Sequence, residues 1–381
     1  MKPALAITNA LFGFLLALPL IQRAVRILPP APLSGAESVP SRPVLTWRGW
    51  LDGSYARARE RRFAARLSVR SHLVRTDNQI AYSLFGRTGG RGTQIVRGQD
   101  GWLYEKGYVD HQNREPVNDG KAAQRAREAR RLQDLLAARN IGFVVLLAPS
   151  KVTVYPERLR PGALARPIGA PGNYDLARAA LSAEGVNVLD ARALFLRWKP
   201  DSEFPLFPRT GTHWSYAAVA RLAGELYRNL ERQTGRAYPE IVLAGLRTET
   251  SVLHEENDLG ELLNLWTSRR MAGPQTHPDV VARPAAGRPL PRLLFVGDSF
   301  AHTLNRLLDD HRAAGRQDLL YYYKRRFTYP GRTESPVDRK RINLRADLLA
   351  GDAVILVVNE VWLPDIGFGF LADAVRSLEA P

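Results

Sequence analysis

Apolar residues along the chain gather into short unbroken runs, and amphipathic stretches separate those runs. The segments 141–148 (IGFVVLLA), 293–296 (LLFV) and 353–358 (AVILVV) contain no polar residue. That pattern predicts strands buried on both faces rather than on one. Shorter segments at 186–189 and 319–323 extend the set. Between the runs, 119–139, 174–184, 213–233, the stretch from Ser299 onward and 369–379 have helical spacing. In 213–233, Ala218, Leu222, Leu226 and Leu230 form one stripe. Strands alternating with helices predict an α/β fold, with a mostly parallel sheet flanked by helices on both faces. In such sheets, functional groups collect beyond the carboxyl ends of the strands. Upstream, Thr93 to Val96 and Gly98 to Tyr104 read as a strand, an Asp100-Gly101 turn and a second strand. A helix is expected over 54–75. It carries seven Arg, with Phe63 and Leu67 one turn apart.

The amino-terminal end has a different character. No charged residue occurs between Pro3 and Ile21, a stretch whose helical length of roughly 28 Å matches one hydrocarbon core. An uncleaved membrane anchor is the expectation, and a cleaved signal the alternative, with Ser34-Gly35-Ala36 as a distant cleavage site. Lys2 on one side, and Arg23 and Arg26 on the other, leave orientation nearly undecided. The organisation expected is therefore an anchor or signal at 1–26, a Pro/Ser/Gly tether at 27–46, a helical extension at 47–95 and one α/β domain at 96–381.

Composition narrows the chemistry. There is no cysteine among the 381 residues, which excludes thiol catalysis, disulfides and cysteine-ligated metal. The histidines lack ligand-like spacing, so no metal is expected. The net charge is +16, and 47 of the 54 basic residues are Arg. The arginine-rich helix suits an anionic lipid or polysaccharide surface, or simply a solvated face. No zinc-finger or aromatic RNA-binding signature supports nucleic acid as a partner.

The polar residues at the strand ends are Pro149-Ser150-Lys151, Asp190, Gly297-Asp298-Ser299 and Asn359-Glu360. Gly297-Asp298-Ser299-Phe300 follows a buried strand and opens a helix, so Ser299 would sit where free N–H groups and the helix dipole favour an oxyanion. The rival reading makes Ser299 a helix N-cap. A serine nucleophile needs a base. Of the seven histidines, His213 stands out in Phe207 to Ser215 (FPRTGTHWS), after a Pro/Gly loop and at the start of the striped helix. Asp298, next to the serine, is expected to pin the turn rather than orient the base.

Thr212-His213-Trp214 followed later by Gly297-Asp298-Ser299-Phe300 resembles the alginate O-acetyltransferase family, which is SGNH-hydrolase-like. The order, histidine before serine, is that family's circular permutation of the usual SGNH order. Gly98 to Tyr104 (GQDGWLY), Ala148-Pro149-Ser150-Lys151 with Tyr155-Pro156-Glu157, the Gly-Glu-Leu-Leu after Asp258-Leu259, and Val358-Asn359-Glu360 are similar too, so the resemblance spans about 45–381. It implies a flavodoxin-like α/β domain that O-acetylates an exopolysaccharide in the periplasm. No cofactor is implied beyond an acetyl donor, which a membrane-bound O-acyltransferase partner would supply. Ser299 would be acetylated, with His213 as base. Asn359, Gly297, Lys151 and Trp214 would serve the oxyanion or the sugar, and the arginines at 324–345 an acidic polymer. One departure matters. The family's motif is Asp-x-His-Trp, and here Gly211 holds the place of the Asp that orients the imidazole. Asp190, Asp258 and Glu360 are the candidate substitutes. A binding or assembly protein on the same fold, or an acetylesterase, remains the alternative function.

Overall fold

The computed structural model describes residues 3–35, 39–88 and 94–380. Lys2, Ala36 and Thr93 lie outside them. Two compact units emerge, one from 1–93 with 260–271, the other from 94–259 with 272–381.

The first unit is helical, with helices Pro3–Val25, Trp47–Leu51, Ser54–Arg66 and Arg70–Phe85. The single helix expected over 54–75 is thus two, separated at Leu67–Val69. The segment 260–271 is held by side chains of the last helix. Asn78 Nδ2 donates to Leu263 O at 3.0 Å, and Arg75 Nη1 donates to Leu265 O at 3.0 Å. Among the described residues no single helix is long and apolar enough to cross a membrane. Leu5–Phe14 and Leu16–Val25, bent by 44° at their break, pass that test only as a pair, by length and composition.

The second unit contains eleven strands among the described residues: β1 (Ile95–Arg97), β2 (Leu103–Glu105), β3 (Gly142–Ala148), β4 (Val188–Asp190), β5 (Glu240–Glu249), β6 (Gln275–Arg283), β7 (Arg292–Gly297), β8 (Arg316–Tyr321), β9 (Arg325–Tyr329), β10 (Thr333–Pro336) and β11 (Ala353–Asn359). Seven form the central sheet in the order β10-β9-β8-β7-β11-β3-β4. The five strands from β8 to β4 are parallel, and β9 and β10 add an antiparallel edge. The mostly parallel sheet expected from the runs is what forms. β1 and β2 make the expected hairpin, with Asp100 (φ 49°) and Gly101 (φ 76°) in the left-handed region at its turn. The β5–β6 hairpin and the β9–β10 edge were not anticipated. Most of their residues are exposed or only partly buried, so they carry no buried-run signal.

The period of two along each central strand sorts side chains onto two faces. Val144, Leu146, Phe295, Ile355 and Val357 face one core, which helices Ala191–Trp198, Tyr216–Thr234 and Phe300–Asp310 cover. Phe143, Val145, Leu147, Val296, Leu356 and Val358 face the other, under Lys121–Ala137, Asn173–Ala183 and Phe370–Glu379. Burying a side chain of this size stabilises by about 1.5–3 kcal/mol, so β7, β11 and β3 form the most strongly held layer. Helix Tyr216–Thr234 starts at a Ser215 N-cap, whose Oγ accepts from Ala218 N at 3.2 Å. It stops at left-handed Gly235 (φ 66°). His213 therefore precedes this helix rather than opening it.

Ile355, fully buried in the central strand, tests this layer. Ile355→Ala should cost about 2–5 kcal/mol in urea unfolding, whereas Leu349→Ala, at an exposed site, should stay within about 0.5 kcal/mol of wild type.

Candidate active site

β7, β11 and β3 end together at their carboxyl edge, and the polar residues cluster there. At Gly297 an added Cβ would lie 2.6 Å from Val357 O. Only glycine lets β7 run this close to β11 before the turn. Asp298, fully buried, then bridges the two strand ends. Its Oδ1 accepts from Phe300 N at 3.0 Å and its Oδ2 from Asn359 N at 2.6 Å. Burial pushes its carboxyl up to about 6, against the pull of those two N–H donors and of His213.

Ser299 follows at the start of helix Phe300–Asp310. Its side chain makes no capping hydrogen bond, which removes the N-cap reading. Instead Oγ stands 2.8 Å from His213 Nε2. The imidazole rests on the Phe300 ring, with centroids 5.0 Å apart. Behind it, Asp258 Oδ2 lies 2.8 Å from His213 Nδ1, though off the line of a straight N–H bond. Asp258 is itself fixed, because its Oδ1 accepts from Thr212 N at 2.8 Å and Leu259 N at 2.7 Å. Burial alone would lower the His213 pKa. The close carboxylate of Asp258, with the charges of Glu255 and Asp298 behind, outweighs it and holds the pKa above the ordinary value.

Gly211 explains why the acid comes from Asp258. A Cβ on Gly211 would fall 2.5 Å from Glu255 O and 2.8 Å from the Glu256 carbonyl carbon. The backbone of 255–256 occupies the space a side chain at 211 would need, and the same segment delivers Asp258 to the imidazole. The other two candidate acids are held elsewhere. Asp190 caps helix Ala191–Trp198 through Ala193 N at 3.0 Å and binds Arg178 Nε at 3.0 Å. Buried Glu360 accepts from Ser150 N at 2.9 Å, from Thr153 Oγ1 and from Arg192.

Several expected substrate contacts turn inward. Lys151 is buried, and its Nζ donates to the carbonyls of Leu103 (2.8 Å), Arg209 (2.8 Å) and Gly211 (2.9 Å). Desolvation drives its amine well below the usual lysine range, and it braces the loop before His213 rather than facing a polymer. Trp214 is fully buried against Phe195 and Phe300, so it cannot stack on a sugar. Asn359 is buried with its amide engaged, Nδ2 donating to Pro149 O at 3.1 Å and Oδ1 accepting from Val361 N at 3.1 Å. Of the arginines at 324–345, Arg325, Arg326, Arg332, Arg339 and Arg341 pair with carboxylates of the same unit.

Sequence reading missed Glu105. At the end of β2 its Oε2 accepts from Thr212 Oγ1 at 3.3 Å. Burial and then the repulsion of Asp258 raise its pKa. Nothing in the local sequence marks it, because it comes from the hairpin and meets the site only in three dimensions. Among the described residues no group of His, Asp and Glu could hold a metal ion.

A family model described as SGNH hydrolase-like domain, acetyltransferase AlgX, matches residues 95–311. No curated protein matches the sequence significantly. Among solved structures, the O-acetyltransferase domain of Pseudomonas putida AlgJ is 18% identical, covers 74% of this chain and 99% of that one, and has a TM-score of 0.48. Pseudomonas aeruginosa AlgX is 18% identical, with 72% of this chain and 57% of that chain covered and a TM-score of 0.38. Bacillus cereus PatB1 with a sulfonyl adduct is 12% identical, with 72% and 99% covered and a TM-score of 0.45.

Restoring the aspartate of the resembling motif should harm this protein. Gly211→Asp is expected to cost about 2 kcal/mol or more through overpacking against 255–256, read as a lower thermal midpoint. A variant as stable as wild type would show that the segment has room for a side chain.

Proposed function

The chain belongs to the family of SGNH hydrolase-like, AlgX-type acetyltransferase domains, and from that premise we propose that it O-acetylates a bacterial exopolysaccharide in the periplasm through an acetyl-Ser299 intermediate. The observation that carries the reading is the line Ser299 Oγ–His213–Asp258, with 2.8 Å on either side of the imidazole, at the carboxyl end of the central strand β7. This is nucleophile, base and orienting acid in sequence.

In the first half-reaction His213 Nε2 takes the Ser299 proton while Oγ attacks the acetyl carbonyl of the donor. The oxyanion forms beside the amino end of helix Phe300–Asp310, where the backbone dipole favours negative charge. On collapse, the imidazolium returns the proton to the leaving group, and acetyl remains on Oγ. In the second, a sugar hydroxyl gives its proton to His213 and attacks the ester, and Ser299 leaves with the proton restored. Asp258 stabilises each imidazolium without taking the proton. The donor would come from a membrane-bound O-acyltransferase partner, and residues 3–25 would keep the domain at the inner membrane. The binding-only alternative drew on the missing motif aspartate, and Asp258 beside the imidazole removes its main support.

Two measurements test the reading. The full chain in detergent, incubated with an activated acetyl ester, should show a transient mass gain of one acetyl group. The gain should be absent in Ser299→Ala and slowed about 10⁴-fold or more in His213→Ala. No gain on wild type would sink the proposal. The pH profile is the second. His213 must be neutral to act, and its raised pKa places the acid limb of kcat/KM above about 6.5, the ordinary histidine value. Asp258→Asn removes what favours the imidazolium, so the rate should fall roughly 10³–10⁴-fold and the acid limb should move to lower pH. An unmoved limb would deny Asp258 its role.

A further inference from the structure

Two loops meet at the rim of the Ser299 turn, and both are built from aromatic residues the mechanism does not use. The first follows β8. Tyr322 and Tyr323 sit at φ 47° and 52°, consecutive left-handed positions without glycine. The second follows β11, where Trp362 and Phe368 lie in the 360–369 segment and Phe368 also has a positive φ of 54°. Strain at bulky residues persists where surrounding contacts impose it, and it gathers at ligand sites. Here the contacts tie both loops to the nucleophile turn. Tyr322 N donates to Gly297 O at 2.7 Å, and Asn359 N, three residues before Trp362, donates to Asp298 Oδ2.

The rings form a wall rather than a packed core. Tyr322 meets Trp362 edge-on at 5.4 Å and 73°, and Phe368 meets Trp362 at 5.9 Å and 70°. Trp362 is nevertheless 39% exposed, so part of its indole is open to solvent. A part-exposed tryptophan on the loop that follows β11, whose end is tied to the Ser299 turn through Asp298, suits a flat ligand that carries apolar C–H groups on one side and hydroxyls around its edge. A pyranose ring has that form. Its C–H face meets the electron-rich π surface, while an edge hydroxyl remains free to reach the acyl group.

We propose that Trp362, steadied by Tyr322 and Phe368, is the stacking platform for a pyranose ring of the acceptor glycan. The two strained loops hold that ring at the mouth of the Ser299 site. This deepens the acetyl-transfer reading and rests on it for the identity of the acceptor. The strain has a purpose under this proposal. A relaxed, extended Tyr322 would continue β8 and carry its ring away from Trp362.

The test is binding, read separately from chemistry. Full-length Ser299→Ala protein in detergent is titrated by calorimetry with a β-1,4-mannuronate hexamer and with cellohexaose. At least one hexamer should bind. Adding Trp362→Ala should weaken it about tenfold or more, and Trp362→Phe, which keeps a ring, about threefold or less. Trp266→Ala, at an exposed tryptophan of the other unit, should bind like its parent. Thermal midpoints identify a variant that has lost its fold. If Trp362→Ala has done so, the Phe variant and Tyr322→Leu carry the test, Tyr322→Leu being expected to weaken binding severalfold. Binding that ignores both positions, or no binding of either hexamer at millimolar concentration, overturns the platform. The acetyl-adduct experiment reads the other proposal independently. An adduct with Trp362-independent binding sinks only the platform, and Trp362-dependent binding without an adduct sinks only the transfer reaction.

Discussion

A single buried carboxylate holds the reactive edge of this protein together. Asp298 accepts one N–H from the helix that starts at Phe300 and one from Asn359 at the end of β11. Hydrogen bonds to a charged acceptor contribute about 1.5–3 kcal/mol each; the bond to Phe300 N fixes the turn itself, and the bond to Asn359 N spans the gap between the two central strands. Burial works in the opposite direction and lifts the carboxyl to about 6. The group is thus retained where an apolar side chain could not do its job. It sets the position of Ser299 on one side and of the Asn359–Trp362 loop on the other, so the serine turn and the rim are placed by the same carboxylate.

The imidazole is positioned by a trade between segments. In the resembling motif the acid stands two residues before the histidine. Here the chain at 211 is bare, and the backbone of 255–256 packs into the space. The same approach brings Asp258 within 2.8 Å of Nδ1 and lets it bind Thr212 N, one residue from the base. Glycine and relocated acid form one arrangement, since a side chain at 211 would push away the segment that supplies the carboxylate. Lys151 supports it from beneath by binding the carbonyls of Arg209 and Gly211, which explains why an expected substrate contact is found inside.

Such a site has a consistent electrostatic logic. Asp258, Glu255 and Asp298 surround one imidazole, and their sum overcomes the desolvation that would otherwise keep it neutral. An imidazole whose pKa is raised is a stronger proton acceptor for a nearby hydroxyl. The aromatic rim beside it adds shape without charge. Among the described arginines of 325–341, five already pair with carboxylates, so the high net charge is not simply a measure of free basic surface near the site.

Local sequence determined the central architecture and the turn, and it pointed to the Ser299–His213 pair that meets in the structure. Unbroken runs such as 141–148 and 353–358 can only be satisfied by a two-sided core. A small-residue turn between such a run and a helix places a serine at the carboxyl edge, and the Pro/Gly loop before His213 marks the base. The antiparallel β5–β6 pair and the edge strands β9 and β10 stayed hidden, because strands that are largely exposed or half-exposed have neither run nor clean alternation. Tertiary structure alone decided which of Asp190, Asp258 and Glu360 meets the imidazole. It also buried Lys151, Trp214 and Asn359, and it brought Glu105, Tyr322 and Trp362 to the same edge. The physical reason is common to all of these. A strand or helix is specified by periodicity within one segment, whereas the partner of a polar side chain depends on the approach of segments 46 to 107 residues apart, which no spacing along the chain encodes.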